Sequence, residues 1–233
     1  MGKSPALMGV INLTPDSFWK GSRIPSSGAP SRALEMVEEG AVFIDVGAES
    51  TRPGAAPLDH QTEWNRLAEP LGEIIKALEG GDAKVSVDTY HASTAQKAMA
   101  MGADLINDPS GLLGDGEMLM TCAPLGFPFL VNHAVWPPAT MMENPLESSL
   151  VVETVSKELA LKRSLLIRFG IKPSDVLVDP GIGFGKKQSA NITLLENLES
   201  IKEACQGARL VVGVSRKSLI GHLTNGAVEE RLR

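Results

Sequence analysis

Short apolar runs rich in Val, Ile and Leu recur along the chain, separated by longer stretches in which apolar residues return every three or four positions. The runs predict seven strands, at 6–11, 42–46, 84–87, 104–106, 128–132, 175–178 and 209–214. The longer stretches predict helices over 31–39, 59–79, 91–101, 115–125, 146–169 and 189–205. The strands are nearly continuous in apolar residues rather than alternating, as expected for a sheet covered on both faces. Strand and helix alternate throughout, which predicts a parallel α/β sheet. No shift in composition marks a linker, so a single domain over 1–233 is expected.

The residues at the end of each run narrow the fold. Asn12, the segment Glu49 to Arg52, Asp88, Asn107 with Asp108, His133, Asp179, and the segment Ser215 to Lys217 stand directly after the seven strands. Polar chemistry at every strand end favours a TIM-type (β/α)8 barrel, whose βα loops all open on one face, over an open sheet with a single switch point.

Composition then restricts the partners. The net charge of −6 and pI near 5.3 argue against a nucleic-acid or polybasic membrane surface. No apolar run approaches the ~18 residues of a membrane span, and Asn12 and Asp16 come too soon after the start for a secretory segment. A cytoplasmic protein acting on small molecules is expected. Cys122 and Cys205 lack metal-like spacing and read as small buried hydrophobes. The four histidines are not expected to form a metal constellation: His60, His91 and His222 fall in helical segments, and only His133 ends a strand, where it could line the pocket or support it. Trp64 and Phe169 read as core, whereas Phe18 and Phe184 fall in loops where they could meet a flat ligand.

The stretch DPGIGFGKK (179–187) has the glycines of a phosphate loop but fits neither the Walker spacing nor the dinucleotide fingerprint. Its acid belongs with Asp88 and Asn107 instead. Three short polar side chains low in a barrel mouth, with Lys217 as a fourth, could grip a planar heterocycle, although any one of them could merely cap a turn. Arg52, between Thr51 and Pro53, offers a planar fork suited to phosphate. With Asn12 on the neighbouring strand end it suggests a Mg²⁺-bound diphosphate. Ser218 stands at a helix start, where free N–H groups attract a carboxylate.

These residues resemble one family, the dihydropteroate synthases. The segments are MGVINLTPDSF (8–18), IDVGAESTRPGAA (44–56), SVDT (86–89), INDPSG (106–111), DPGIGFGK (179–186) and GVSRKSLIG (213–221). The resemblance implies a (β/α)8 barrel that condenses 6-hydroxymethyl-7,8-dihydropterin diphosphate with 4-aminobenzoate, and a site at which sulfonamides mimic substrate. It implies that Asp88, Asn107, Asp179 and Lys217 hold the pterin, and that Asn12 meets Mg²⁺ and diphosphate. Arg52 meets diphosphate too. Thr51, Pro53, Phe184 and Ser218 surround the aminobenzoate, with Ser215 and Arg216 beside them in the substrate-binding loop. A homodimer is also implied. A pterin-dependent methyltransferase would share the Asp and Asn ligands but has no use for Arg52 or the SRKS segment. A barrel that binds pterin without turnover is the non-enzymatic alternative.

The chain departs from the resemblance at three places. Lys20 stands where an aspartate is expected in the first loop, and Asn132 replaces an apolar neighbour of the pterin. The eighth βα unit, with its Arg-x-His, is not seen after EERLR (229–233). A seven-stranded barrel is therefore expected, with unpaired first and last strands, poor solubility and negligible turnover.

Overall fold

The computed structural model describes residues 5–14, 28–52 and 54–224. Seven strands form one parallel sheet in sequence order: β1 (Leu7–Asn12), β2 (Ala41–Gly47), β3 (Lys84–Asp88), β4 (Leu105–Asp108), β5 (Phe129–Asn132), β6 (Val176–Asp179) and β7 (Arg209–Leu210). The helices between them are α1 (Ala29–Glu38), α2 (His60–Ala77), α3 (Ala92–Met101), α4 (Met118–Cys122), α5 (Ser148–Arg168), α6 (Gln188–Glu196), α7 (Leu198–Ala204) and α8 (Ser218–Thr224). Strand order equal to chain order is the topology of a (β/α) barrel. Among the described residues β1 and β7 are the two edges, so the barrel is incomplete.

Alternation along the strands sorts side chains into two cores. Outward-facing residues such as Ile44, Val46, Val87, Ile106, Val131 and Val178 pack under the helices and are fully buried. Each such side chain contributes about 1.5–3 kcal/mol. The inner cluster is smaller: Leu105, Leu130 and Leu177, with the partly buried Met8, Phe43 and Val211 beside them. Val10 on the edge strand β1 is 47% exposed.

The helices obey their sequence signals. Asp59 caps α2 by accepting from the backbone N–H groups of Gln61 and Thr62 at 3.0 and 2.9 Å, which fixes where α2 begins. The buried stripe of α5 runs through Val151, Val155, Leu159 and Leu166, the spacing of one helix face. Trp64 and Phe169 pack on the core, and both cysteines are free and buried, as expected.

Three expected elements differ. The helix over 115–125 contracts to α4 and then a 3₁₀ turn at Ala123–Leu125, because Asp115 closes a turn onto Glu117 and Pro124 lacks an N–H. The helix over 189–205 breaks at Asn197, whose side-chain amide donates to the Thr193 carbonyl at 2.8 Å in competition with the backbone. The strand over 209–214 is regular only at Arg209–Leu210, with one further ladder bond from Val211 N–H to the Val178 carbonyl. Among the described residues Val212 to Val214 have no second strand to pair with.

Candidate active site

Parallel register gathers the expected strand-end residues at one end of the sheet in two rows, because Asn107 lies opposite Leu130 rather than Asn132. Asn12 lies opposite Gly47, Gly47 opposite Asp88, and Asp88 opposite Asn107; on the far side Asn132 lies opposite Asp179. A side chain two residues further along a strand points the same way. Asn107, Asn132 and Asp179 therefore stand directly above the inner leucines 105, 130 and 177, and Asp45 stands above Phe43. The result is a polar ring over an apolar floor.

The ring has unused acceptors. Asn107 donates its amide N–H to Asp45 Oδ2 at 3.0 Å, which orients the amide and leaves Asn107 Oδ1 inward. Asp45 Oδ1, Asn107 Oδ1 and Asn132 Oδ1 are buried and have no hydrogen-bond partner among the described residues. Asp45 is not among the residues expected from sequence. It interrupts the apolar run of β2, which is a legible signal, but a strand-end search stops short of it. Gly47 leaves room for its neighbour: a Cβ there would lie 3.0 Å from Asp88 Oδ2. Burial raises the Asp45 carboxyl above its usual range. Asp88 is pushed well above that range, by burial first and then by the nearby charges of Asp45, Glu63, Asp108 and Glu49.

Asp179 has other company. Its Oδ1 accepts from Gly181 N–H at 2.7 Å. Burial raises its pKa, with Lys217, the Gly181 amide and Lys186 opposing. Lys217 reaches the Ile182 carbonyl and stands 4.7 Å from the centre of the Phe184 ring, so these two expected residues meet. Lys186 is 2% exposed and donates to the carbonyls of His133, Gly181 and Phe184 at 3.1, 2.8 and 3.0 Å. Burial pulls its pKa down to about 7, against the attraction of Asp179. Lys186 thus staples the glycine loop from beneath. Gly181 takes φ +69°, and a Cβ there would come 1.8 Å from the His133 carbonyl, so the staple requires glycine at this point.

His133 supports the site rather than lining it. It is 2% exposed, and burial, then Lys186 and Lys162, lower its pKa to about 2. Asp108 caps its own turn: its carboxylate accepts from Ser110 N–H and Oγ–H and from Leu112 N–H at 2.9, 2.7 and 2.7 Å.

The remaining expected residues lie around the rim. Thr51 is partly buried and Arg52 exposed on the loop after β2. That loop is braced by Glu49, whose Oε1 accepts from Leu58 N–H at 3.0 Å and from the Tyr90 hydroxyl at 2.7 Å. Ser215 is exposed, Arg216 adopts φ +57°, and Ser218 opens α8 while accepting from the Gln188 side chain at 3.0 Å. Pro53, Phe18 and Lys20 lie outside the described residues.

Histidine also appears where spacing does not suggest a cluster. His91 faces Glu63, with Glu49 close by. The partners are carboxylates from α2 and from the loop after β2, which a search for histidine spacing cannot find.

Comparison with known proteins gives the same picture. The model of the family described as pterin binding enzyme matches residues 8–233. The dihydropteroate synthase of Clostridium beijerinckii is 37% identical over 234 residues, covering 100% of this chain and 82% of that protein. Among solved structures, the Yersinia pestis dihydropteroate synthase with a sulfonamide drug complex superposes with a TM-score of 0.89 at 33% identity, over 98% of this chain and 81% of that one. The Xanthomonas albilineans dihydropteroate synthase in complex with 7,8-dihydropteroate gives 0.81 at 30% identity, over 98% and 79%. A ring of Asp and Asn over a barrel floor, the ESTRPG and SRKS loops and these likenesses lead to one conclusion: the chain belongs to the pterin-binding enzyme family, within its dihydropteroate synthases.

Proposed function

We propose that the barrel mouth binds 6-hydroxymethyl-7,8-dihydropterin diphosphate and condenses it with 4-aminobenzoate to give 7,8-dihydropteroate and diphosphate, a transferase step of folate synthesis. The observation that carries this reading is the set of buried, unpartnered oxygens on Asp45, Asn107 and Asn132, gathered at the same end of the sheet as Asp88 and Asp179. The amino-pyrimidinone edge of a pterin is rich in N–H donors and fills such acceptors. Asp179, Asp88 and Asn107 hold that edge in this reading, and Lys217 donates to the ring carbonyl or a ring nitrogen. Phe184 contributes a flat apolar wall.

The reaction needs no protein nucleophile. The bond between the pterin methylene carbon and the diphosphate oxygen breaks with its electron pair leaving on diphosphate. The arylamine nitrogen then bonds to that carbon and gives up one proton. Arg52 holds the diphosphate through its guanidinium fork. Asn12, half-buried at the end of β1, offers one neutral oxygen, which suits Mg²⁺ because that ion keeps most of its six positions for phosphate oxygens and water. When bound, Mg²⁺ supplies charge neutralisation on the leaving group. Thr51, Pro53, Ser215, Arg216 and Ser218 bound the aminobenzoate end. The carboxylates beside the ring favour the cation left on the pterin, so catalysis is positioning and electrostatics.

This reading also includes a homodimer in the cytoplasm; sedimentation tests the former. Among the described residues no helix is long and apolar enough to cross a membrane. The deciding experiment supplies both substrates and Mg²⁺ to the purified protein and monitors dihydropteroate and diphosphate together. Equimolar products are expected. Tight pterin binding without either product would leave a binding barrel, and methyl transfer from a methylated pterin would leave the methyltransferase alternative.

A further inference from the structure

Behind the mouth, the loop after β2 is tied down by polar groups that the proposed reaction does not use. Glu63, in the first turn of α2, is fully buried; its Oε2 accepts from the Thr89 hydroxyl at 2.9 Å and faces His91 Nδ1 at 3.1 Å. Glu49, 8% exposed, uses Oε1 for Leu58 N–H and the Tyr90 hydroxyl. The second oxygen of each carboxylate, Glu49 Oε2 and Glu63 Oε1, is buried with no hydrogen-bond partner among the described residues. One oxygen from each acid and a ring nitrogen of His91 lie within 4.8 Å of one another. Two acids this close and this dry repel unless one keeps a proton or positive charge lies between them, and a single imidazolium balances only one.

We propose that Glu49, Glu63 and His91 form a divalent-cation site, separate from the diphosphate site at Asn12, that fixes the β2–α2 loop. Two carboxylate oxygens and one imidazole nitrogen suit a first-row ion such as Mn²⁺ or Zn²⁺ better than Mg²⁺ or Ca²⁺, which favour all-oxygen shells. Ligands about 2.0–2.2 Å from an ion stand at most about 4.4 Å apart, so small side-chain rotations close the site. Coordination takes the neutral imidazole, so ion binding competes with protonation of His91. The His91 side chain is 14% exposed and that of Glu63 0%, which makes the imidazole edge the way in. Glu49 immediately precedes Ser50, Thr51 and Arg52. The ion therefore acts on where the rim residues stand; that consequence, unlike the binding itself, rests on the reaction proposed above.

The test titrates chelator-treated protein with Mn²⁺ and with Zn²⁺ by calorimetry, and repeats thermal melts with and without each ion. One equivalent per chain is expected in the unaltered protein and in Asn12→Ala, with at least tenfold weaker binding in Glu63→Gln and in His91→Ala. The ion should raise the melting temperature of the unaltered protein and leave that of Glu63→Gln unchanged. If Glu63→Gln is poorly folded, Glu49→Gln carries the same expectation. No binding at millimolar ion, or equal affinity in the unaltered protein and the Glu63 and His91 variants, would overturn the site and leave a proton shared between two acids. The readout involves no turnover, so failure of the condensation with ion binding intact counts against the reaction alone.

Discussion

Asp88 and Asp179 occupy the same kind of place, the last residue of a barrel strand, yet stand in opposite fields. Around Asp88, on the β2–β4 flank, the neighbouring charges Asp45, Glu49, Glu63 and Asp108 are all negative and add to the effect of burial. Around Asp179, on the β6–β7 flank, Lys217, Lys186 and a backbone N–H oppose burial. The difference teaches that a strand-end carboxylate is not one functional unit. Asp179 is supported by cations of the protein itself, whereas none of the charges acting on Asp88 favours its ionised form.

The largest effect should come from removing the support on the β6–β7 flank. Lys186→Met strands three carbonyl oxygens, at roughly 1 kcal/mol each or more, and should lower Tm by about 6–12 °C while abolishing measurable pterin binding. Calorimetric melts check this; an unchanged Tm would mean that the glycine loop holds itself. Next, Asp179→Ala leaves ring donors and Lys217 unpaired and should weaken binding of a pterin lacking diphosphate by roughly 10- to 100-fold, about 1–3 kcal/mol. His133→Ala should lose less, and an equal or larger loss for the histidine would dissolve the contrast between the flanks.

Arg52→Lys keeps the charge but loses the fork. Affinity for the diphosphate-bearing pterin should fall about tenfold, with the bare pterin unaffected. If both weaken alike, Arg52 acts on the fold rather than on the phosphate. The smallest effect has the opposite sign. A carboxyl whose pKa is raised by folding holds its proton longer in the native state, so it subtracts stability as pH climbs above its unfolded pKa near ~4. Asp88→Asn should therefore raise Tm by about 2–4 °C at pH 7–8, and the gain should vanish toward pH 4. A gain independent of pH would show that the acidic flank is not what strains Asp88.

Much of the fold is legible in the sequence because strands buried on both faces leave little choice of pattern: all seven strands are found from their apolar runs, and their polar ends point to the mouth. Depth and company are what the sequence conceals. Asp45 lies inside a strand and looks like an interruption until the register sets it beside Asn107. Lys186 reads as one more residue of the glycine loop, since nothing local tells that three carbonyls converge on it. Glu63 reads as an ordinary acid in the first turn of a capped helix, because its partners come from two other loops. The break at Asn197 escapes for a local reason: a side-chain amide competing with the helix is neutral to pattern.

The floor of the barrel has a geometric consequence for what the mouth can hold. Leu105, Leu130 and Leu177 are 1%, 1% and 5% exposed and lie one inward step below Asn107, Asn132 and Asp179. If the mouth takes a flat ring as proposed, these leucines limit how far it can descend. Shaving the stop, as Leu130→Ala would, lowers the seat while leaving every polar group in place. In the proposed reading, the depth of the seat is then set by side chains that cannot hydrogen-bond.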